Sequence, residues 1–117
     1  MLNDEILEGL WEAYQDEWWH KTRLTKAEAD AYHQRILSDG NIITVCDGNL
    51  LVSYCEFYKA HSVCYVKNLW VRKGYRLGLA IRKMRKRLFE VCADCKVFIG
   101  ERNKFGIRYP EVQLRRN

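Results

Sequence analysis

Between Asn41 and Gly100 the hydrophobic period changes twice, and this limits the folds open to the chain more than any other feature. Asn41 to Cys46, Leu50 to Tyr58 and Val63 to Val71 are strand-like runs rich in β-branched and aromatic residues. Asp47-Gly48-Asn49 joins the first two with hairpin-turn chemistry, and a second turn falls around Ala60-His61-Ser62. Leu77, Ile81, Met84, Leu88 and Val91 then make one apolar helical stripe. Lys96 to Gly100 returns to strand. A strand, a helix and a further strand predict a crossover that lays the last strand parallel to its predecessor.

The forty residues before the strands read as two helices. Asn3 with Asp4 and Glu5 supplies a cap and an acidic first turn, and Leu7, Trp11, Tyr14 and Trp18 mark one helical face to about His20. Thr25-Lys-Ala-Glu28 is a capping box, and Ser38-Asp39-Gly40 closes the helix it opens. The tail from Asn103 to Asn117 is ambiguous, because Pro110 interrupts any helix there. The expected class is mixed α/β, order ααβββαβ plus a short tail, with residues 1–117 as one domain. No repeat or linker is evident.

With 48% hydrophobic and 30% charged residues, the chain is neither disordered nor collagen-like. No apolar run approaches the ~18 residues of a membrane span, and the first residues are acidic where a signal peptide is basic. A cytoplasmic protein with no membrane partner is expected. The net charge of +5 is unevenly spread: residues 1–62 hold five Lys/Arg and eleven Asp/Glu, residues 63–117 fifteen and four. That asymmetry points the second half toward phosphate, nucleic acid or an acidic partner.

Five cysteines, Cys46, Cys55, Cys64, Cys92 and Cys95, are expected as buried structural thiols. Cys92-Ala-Asp-Cys95 lacks the second close pair of a zinc ribbon and ends a helix where a redox motif would open one. His20, His33 and His61 have no metal-ligand spacing, so no metal is expected. His61, in a turn, is the one histidine considered near an active site.

The junction from Val71 to Ala80 is the candidate anion site. Free N–H groups and the dipole of a helix N-terminus attract anions, Gly74 and Gly78 permit a tight loop, and Arg72, Lys73 and Arg76 add charge. It is neither a P-loop nor a GxGxxG motif.

The run Tyr65-Val-Lys-Asn-Leu-Trp-Val-Arg-Lys-Gly-Tyr-Arg-Leu-Gly-Leu-Ala-Ile-Arg-Lys-Met84 resembles the acetyl-CoA-binding motif of the GCN5-related N-acetyltransferases. In that family an Arg/Gln-x-x-Gly-x-Gly/Ala loop opens the central helix. Gly78-Leu79-Ala80 supplies its end here, with Tyr75 at the Arg/Gln place and Arg76 one position later. Val97 to Asn103 is similar to the family's next strand, and Gly106-Ile-Arg-Tyr109 to the start of its final helix. The chain lacks the family's usual first strand and last two strands. It is similar in this reduction to short members found in bacteriophages, which would place it in a host cytoplasm or a virion.

The resemblance implies a mixed sheet that binds acetyl-CoA as co-substrate. Backbone groups of Leu69, Trp70 and Val71 would pair with the pantetheine arm. The amides from Arg72 through Lys73, Gly74, Tyr75, Arg76, Leu77, Gly78 and Leu79 to Ala80 would cradle the pyrophosphate, and Asn103 would lie at the cofactor's edge. Acetyl transfer to a primary amine, a protein lysine or a polyamine, needs a base and an acid. The candidates are Glu56 and Tyr109. On residue pattern alone Glu56, alternating with aromatics, is a solvent-facing carboxylate. A competing reading is an inactive member of the fold, acting as a phage structural or interaction protein or binding nucleic acid through Arg82 to Arg87 and Leu114 to Arg116. Missing edge strands leave room for an oligomer.

Overall fold

A computed structural model describes the backbone of residues 3–17, 23–75, 78–104 and 107–115, and the side chains of 4–17, 23–75 and 78–100. Its helices are α1 (Asn3–Glu17), α2 (Lys26–Ser38) and α3 (Leu79–Val91); its strands are β1 (Ile42–Asp47), β2 (Leu50–Ala60), β3 (Val63–Val71), β4 (Val97–Lys104) and β5 (Ile107–Arg115). The first seven elements follow the expected order.

The described strands form one sheet in the order β1-β2-β3-β4-β5. Neighbours are antiparallel except β3 and β4, which run parallel across the α3 crossover. β2 is covered on both faces, and Leu51 through Phe57 are buried without interruption. On one face Leu10 and Ala13 of α1 pack with Leu51, Tyr54 and Trp70. On the other, Ala80, Met84 and Leu88 of α3 pack with Val52, Cys55, Phe57 and Phe98. Of the apolar stripe expected on α3, Met84 and Leu88 are buried, joined by Ala80, while Ile81 and Val91 are exposed and Leu77 lies outside the described residues.

Local chemistry sets the ends. The capping box of α2 is formed: Glu28 N–H donates to Thr25 Oγ1 at 3.2 Å and Thr25 N–H to Glu28 Oε1 at 2.9 Å. His61 and Ser62, at φ +52° and +64°, make the tight β2–β3 turn. That turn stands at the opposite end of β3 from the loop after Val71, so His61 is remote from the candidate anion site.

The tail departs further from expectation. Ile107–Arg115 is a strand paired antiparallel with β4, so Tyr109 opens no helix. Pro110 explains both the misreading and the outcome. It bars a helix, yet a strand tolerates it at an edge beside a bulge, and the β4–β5 register shifts between Gly100 and Glu101, opposite Pro110.

Candidate functional site

The site begins at a defect in the sheet. Glu56 pairs with Asn68 but Phe57 pairs with Val66, leaving Lys67 as an extra residue on β3. A bulge of this kind bends its strand and increases its twist. The β3–β4 pairing ends at Val66 and Gly100, one residue before the bulge. Beyond it both strands continue without pairing each other, and a wedge opens between Lys67–Val71 and Glu101–Lys104.

Register decides what lines that wedge. Arg72 N–H donates to Val52 C=O at 2.7 Å, so Val71 and Ser53 are a non-hydrogen-bonded pair. Alternation then turns the backbone groups of Leu69 and Val71 away from β2, toward the wedge. Those of Trp70 point to Tyr54 on β2, and Trp70 C=O also accepts Ser53 Oγ at 2.7 Å. Two of the three residues expected to face a ligand arm therefore face the wedge, while Trp70 is committed to the sheet.

The loop after β3 is a tight turn: Tyr75 N–H donates to Arg72 C=O at 3.0 Å, with Gly74 at φ +95°. Gly78 follows at φ +103° as the N-cap of α3, and no side chain among the described residues caps that end. The first intrahelical bond runs from Arg82 N–H to Gly78 C=O, so the amides of Leu79, Ala80 and Ile81 have no acceptor within the helix. A β-carbon built on Gly74 or Gly78 would meet nothing within 4 Å among the described residues, so open space adjoins both glycines. Arg76 and Leu77 lie outside the described residues.

Arg72 is not among the loop's available groups. Its guanidinium donates to Glu12 at 2.6 Å and to Leu51 C=O at 2.8 Å, and lies 5.2 Å over the Trp70 ring. It clamps α1 to the sheet, as does Trp70 Nε1 donating to Asp16 at 2.9 Å. Tyr75 is likewise tied, its hydroxyl donating to Asp47 at 2.9 Å, and that bond pushes the phenol's pKa up. Lys73 is exposed.

Glu56 overturns the plain reading of its sequence context: it is 3% exposed. One carboxylate oxygen accepts Asn68 Nδ2 at 2.7 Å; the other accepts the Tyr32 hydroxyl from α2 and lies 3.6 Å from Lys67 Nζ. Alternation beside aromatics looks solvent-facing, but on a strand with helices on both faces there is no solvent face. Tyr32, Lys67 and Asn68 were missed as site residues because their convergence depends on the bulge and on the docking of α2. His33, one residue after Tyr32, is buried, with Nδ1 lacking a hydrogen-bond partner among the described residues; burial lowers its pKa against the opposing pull of Glu56 and Asp30. Tyr109 pairs in register with Arg102, and Asn103 with Arg108, both next to the wedge's β4 side; their side chains lie outside the described residues.

The five cysteines form no disulfide among the described residues, and Cys55, Cys64, Cys92 and Cys95 lie in the α3-side core. Burial pushes the Cys55 thiol up to about 12. Among the described residues no cluster of His, Cys, Asp or Glu could hold a metal ion, and no helix is long and apolar enough to cross a membrane.

No protein-family model matches the sequence, nor does any characterised protein sequence. The fold does have solved counterparts. A ribosomal-protein-alanine N-acetyltransferase from Brucella melitensis superposes with TM-score 0.68 at 15% identity, covering 87% of this chain and 72% of that one. An N-acetyltransferase from Staphylococcus aureus Mu50 gives 0.66 at 13%, covering 89% and 72%. The PaiA N-acetyltransferase from Thermoplasma acidophilum, solved in complex with coenzyme A, gives 0.57 at 10%, covering 88% and 74%. At such identities the likeness is one of fold, and the fold is that of the N-acetyltransferases.

Proposed function

We propose that residues 1–117 form a single domain that binds acetyl-CoA and transfers its acetyl group to a primary amine. The observation that carries this is the wedge between β3 and β4, followed by a glycine loop and the uncapped amides at the start of α3. The pyrophosphate would rest on the amides of Gly78, Leu79, Ala80 and Ile81, and Leu69 and Val71 would pair with the pantetheine arm. This contracts the cradle expected from sequence, since the Arg72 and Tyr75 amides are already used. When bound, acetyl-CoA supplies a thioester carbonyl open to attack by the amine. The chain's own part is to hold that carbonyl beside the bulge and to take up the amine's proton. Glu56 is the residue for that proton, reached through the half-buried Tyr32 hydroxyl or a water. Tyr109 remains the candidate acid. The acidic first half, in which α1 alone carries six Asp/Glu and no Lys/Arg, suits an amine of the protein-lysine or polyamine class.

Calorimetry with acetyl-CoA tests the reading. Saturable binding is expected, and Gly78→Asp should abolish it by setting a carboxylate against the pyrophosphate. A folded Gly78→Asp variant that binds as well as the parent would remove this junction from the site. Binding by the parent without turnover of any amine would favour the inactive member of the fold.

A further inference from the structure

The face of α3 that looks away from the sheet carries a charge the acetyl-transfer reading does not use. Arg82, Lys83, Arg85, Lys86 and Arg87 are all exposed, opposite the buried Ala80, Met84 and Leu88. None of them forms a salt bridge among the described residues. Arg87 donates to Thr44 C=O at 2.6 Å and Arg85 lies 5.5 Å over the Phe89 ring, which leaves Arg82, Lys83 and Lys86 outward and without an ion-pair partner. Arg82 and Lys86 stand four residues apart, and Lys83 and Lys86 three. These are neighbouring positions on a helix surface, where like charges oppose helix formation.

Three ordinary explanations fail. The helix dipole does not call for these cations, since the last turn of α3 holds none. A cofactor cradle does not need Lys86, which lies eight residues past Gly78, about 12 Å along the axis. The acids of the first half do not neutralise them, because α1 and α2 cover the other face of the sheet. The exposed apolar residues of α3 are Leu79 and Ile81, which precede Arg82, and Val91, which follows Arg87, so none falls within the charged stretch. Protein interfaces centre on aromatic and aliphatic groups with charge at the rim; this surface has the reverse pattern, the one that contacts phosphate backbones.

We infer that the outer face of α3 is a docking surface for nucleic acid, with Arg82, Lys83 and Lys86 on backbone phosphates. The inference stands apart from the acetyl-transfer reading and would survive its failure.

Fluorescence anisotropy with labelled duplex DNA of about 24 base pairs, and with one of its strands, tests it. Three to four phosphate contacts should weaken binding about 40- to 150-fold between 50 and 200 mM salt. The Arg82→Gln/Lys83→Gln/Lys86→Gln variant, folded by circular dichroism and melting like the parent, should bind weakly with most of that salt dependence gone. If the triple variant melts lower, Lys86→Gln alone should cut the log–log salt slope by about 0.9. No binding of either probe at 50 mM salt overturns the inference, as does a variant that binds like the parent. Equal competition by polyglutamate would assign the surface to an acidic protein instead, and displacement of the duplex by acetyl-CoA would move it to the cofactor cradle; each overturns the inference too.

Discussion

Asn68 Nδ2 donates to Glu56 Oε1 at 2.7 Å across the β2–β3 pair, one residue after the bulge at which β3 leaves β4. The side chain that satisfies the buried carboxylate thus sits on the stretch of strand that opens the wedge. Tyr32 reaches the same carboxylate from α2, so three elements are fixed around one acidic group.

Asn68→Ala should destabilise the fold. It leaves one oxygen of a carboxylate that is 3% exposed without its donor, a loss of about 1–3 kcal/mol. Urea denaturation of parent and variant measures it. A difference below about 0.5 kcal/mol, the scatter of ordinary surface changes, would mean that water replaces the amide freely.

Glu56→Gln separates binding from chemistry. If Glu56 takes the amine's proton, kcat should fall about 100-fold or more, the usual scale for losing a general base, while acetyl-CoA affinity is kept. Glu56 does not border the amides of α3, so calorimetric affinity is the control. Unchanged kcat would leave the carboxylate a structural role alone.

How far the sequence disclosed this molecule depends on the range of the signal. The capping box of α2 and the glycine hairpin are local, and each stands where turn chemistry puts it; the stripe of α3 holds at Met84 and Leu88 but not at Ile81 and Val91, which are exposed. The parallel β3–β4 pairing followed from the crossover. β5 was hidden because Pro110 excludes a helix without indicating a strand, and the strand forms only by pairing with β4. The loop glycines of the candidate site were legible, but the roles of its neighbours were not. Arg72 looked like a phosphate ligand until Glu12, sixty residues earlier, was found beside it. Glu56 looked exposed until Tyr32 and Asn68 converged on it.

Gly9 lies within α1, where replacement by alanine ordinarily adds about 1 kcal/mol of helix stability. Here the added β-carbon would fall 2.5 Å from Leu51 Cβ, an atom fixed to the backbone of a central strand. The clash wins over propensity, and Gly9→Ala should lower the melting temperature by several degrees. Leu51→Ala would not restore it, because the contact is with Cβ itself. A rise in melting temperature for Gly9→Ala would show that α1 can lift from β2 at little cost.

Acid should weaken the fold through His33. Burial lowers its pKa below the usual 6.5, so below pH 6.5 the unfolded chain takes up a proton that the folded one refuses. The stability this group contributes is complete above pH 6.5 and is lost as pH falls toward its folded pKa. Melting temperature should therefore drop between pH 7 and 5.5, and His33→Leu should flatten that drop. A parent and variant that decline in parallel would assign the acid sensitivity to other groups.

The buried thiols act at the other end of the scale. Cys64 and Cys92 lie in the core with sulfurs 3.7 Å apart, and burial raises both pKa values. Cys55, buried beside them, is raised from 9 to about 12. An unfolded chain ionises these thiols from about pH 9 while the folded chain keeps them neutral. Their contribution is thus complete below pH 9 and is lost as pH rises toward 12. Denaturation midpoints should fall between pH 8.5 and 10.5, and Cys55→Val should reduce the fall. The same burial governs reactivity, since only a thiolate attacks a disulfide reagent. In the native protein at pH 8 an aromatic disulfide should modify Cys46, the half-buried one, and leave the other four until denaturant is added. Rapid native labelling of Cys64 or Cys92 would mean that the base of the β3–β4 pair opens in solution.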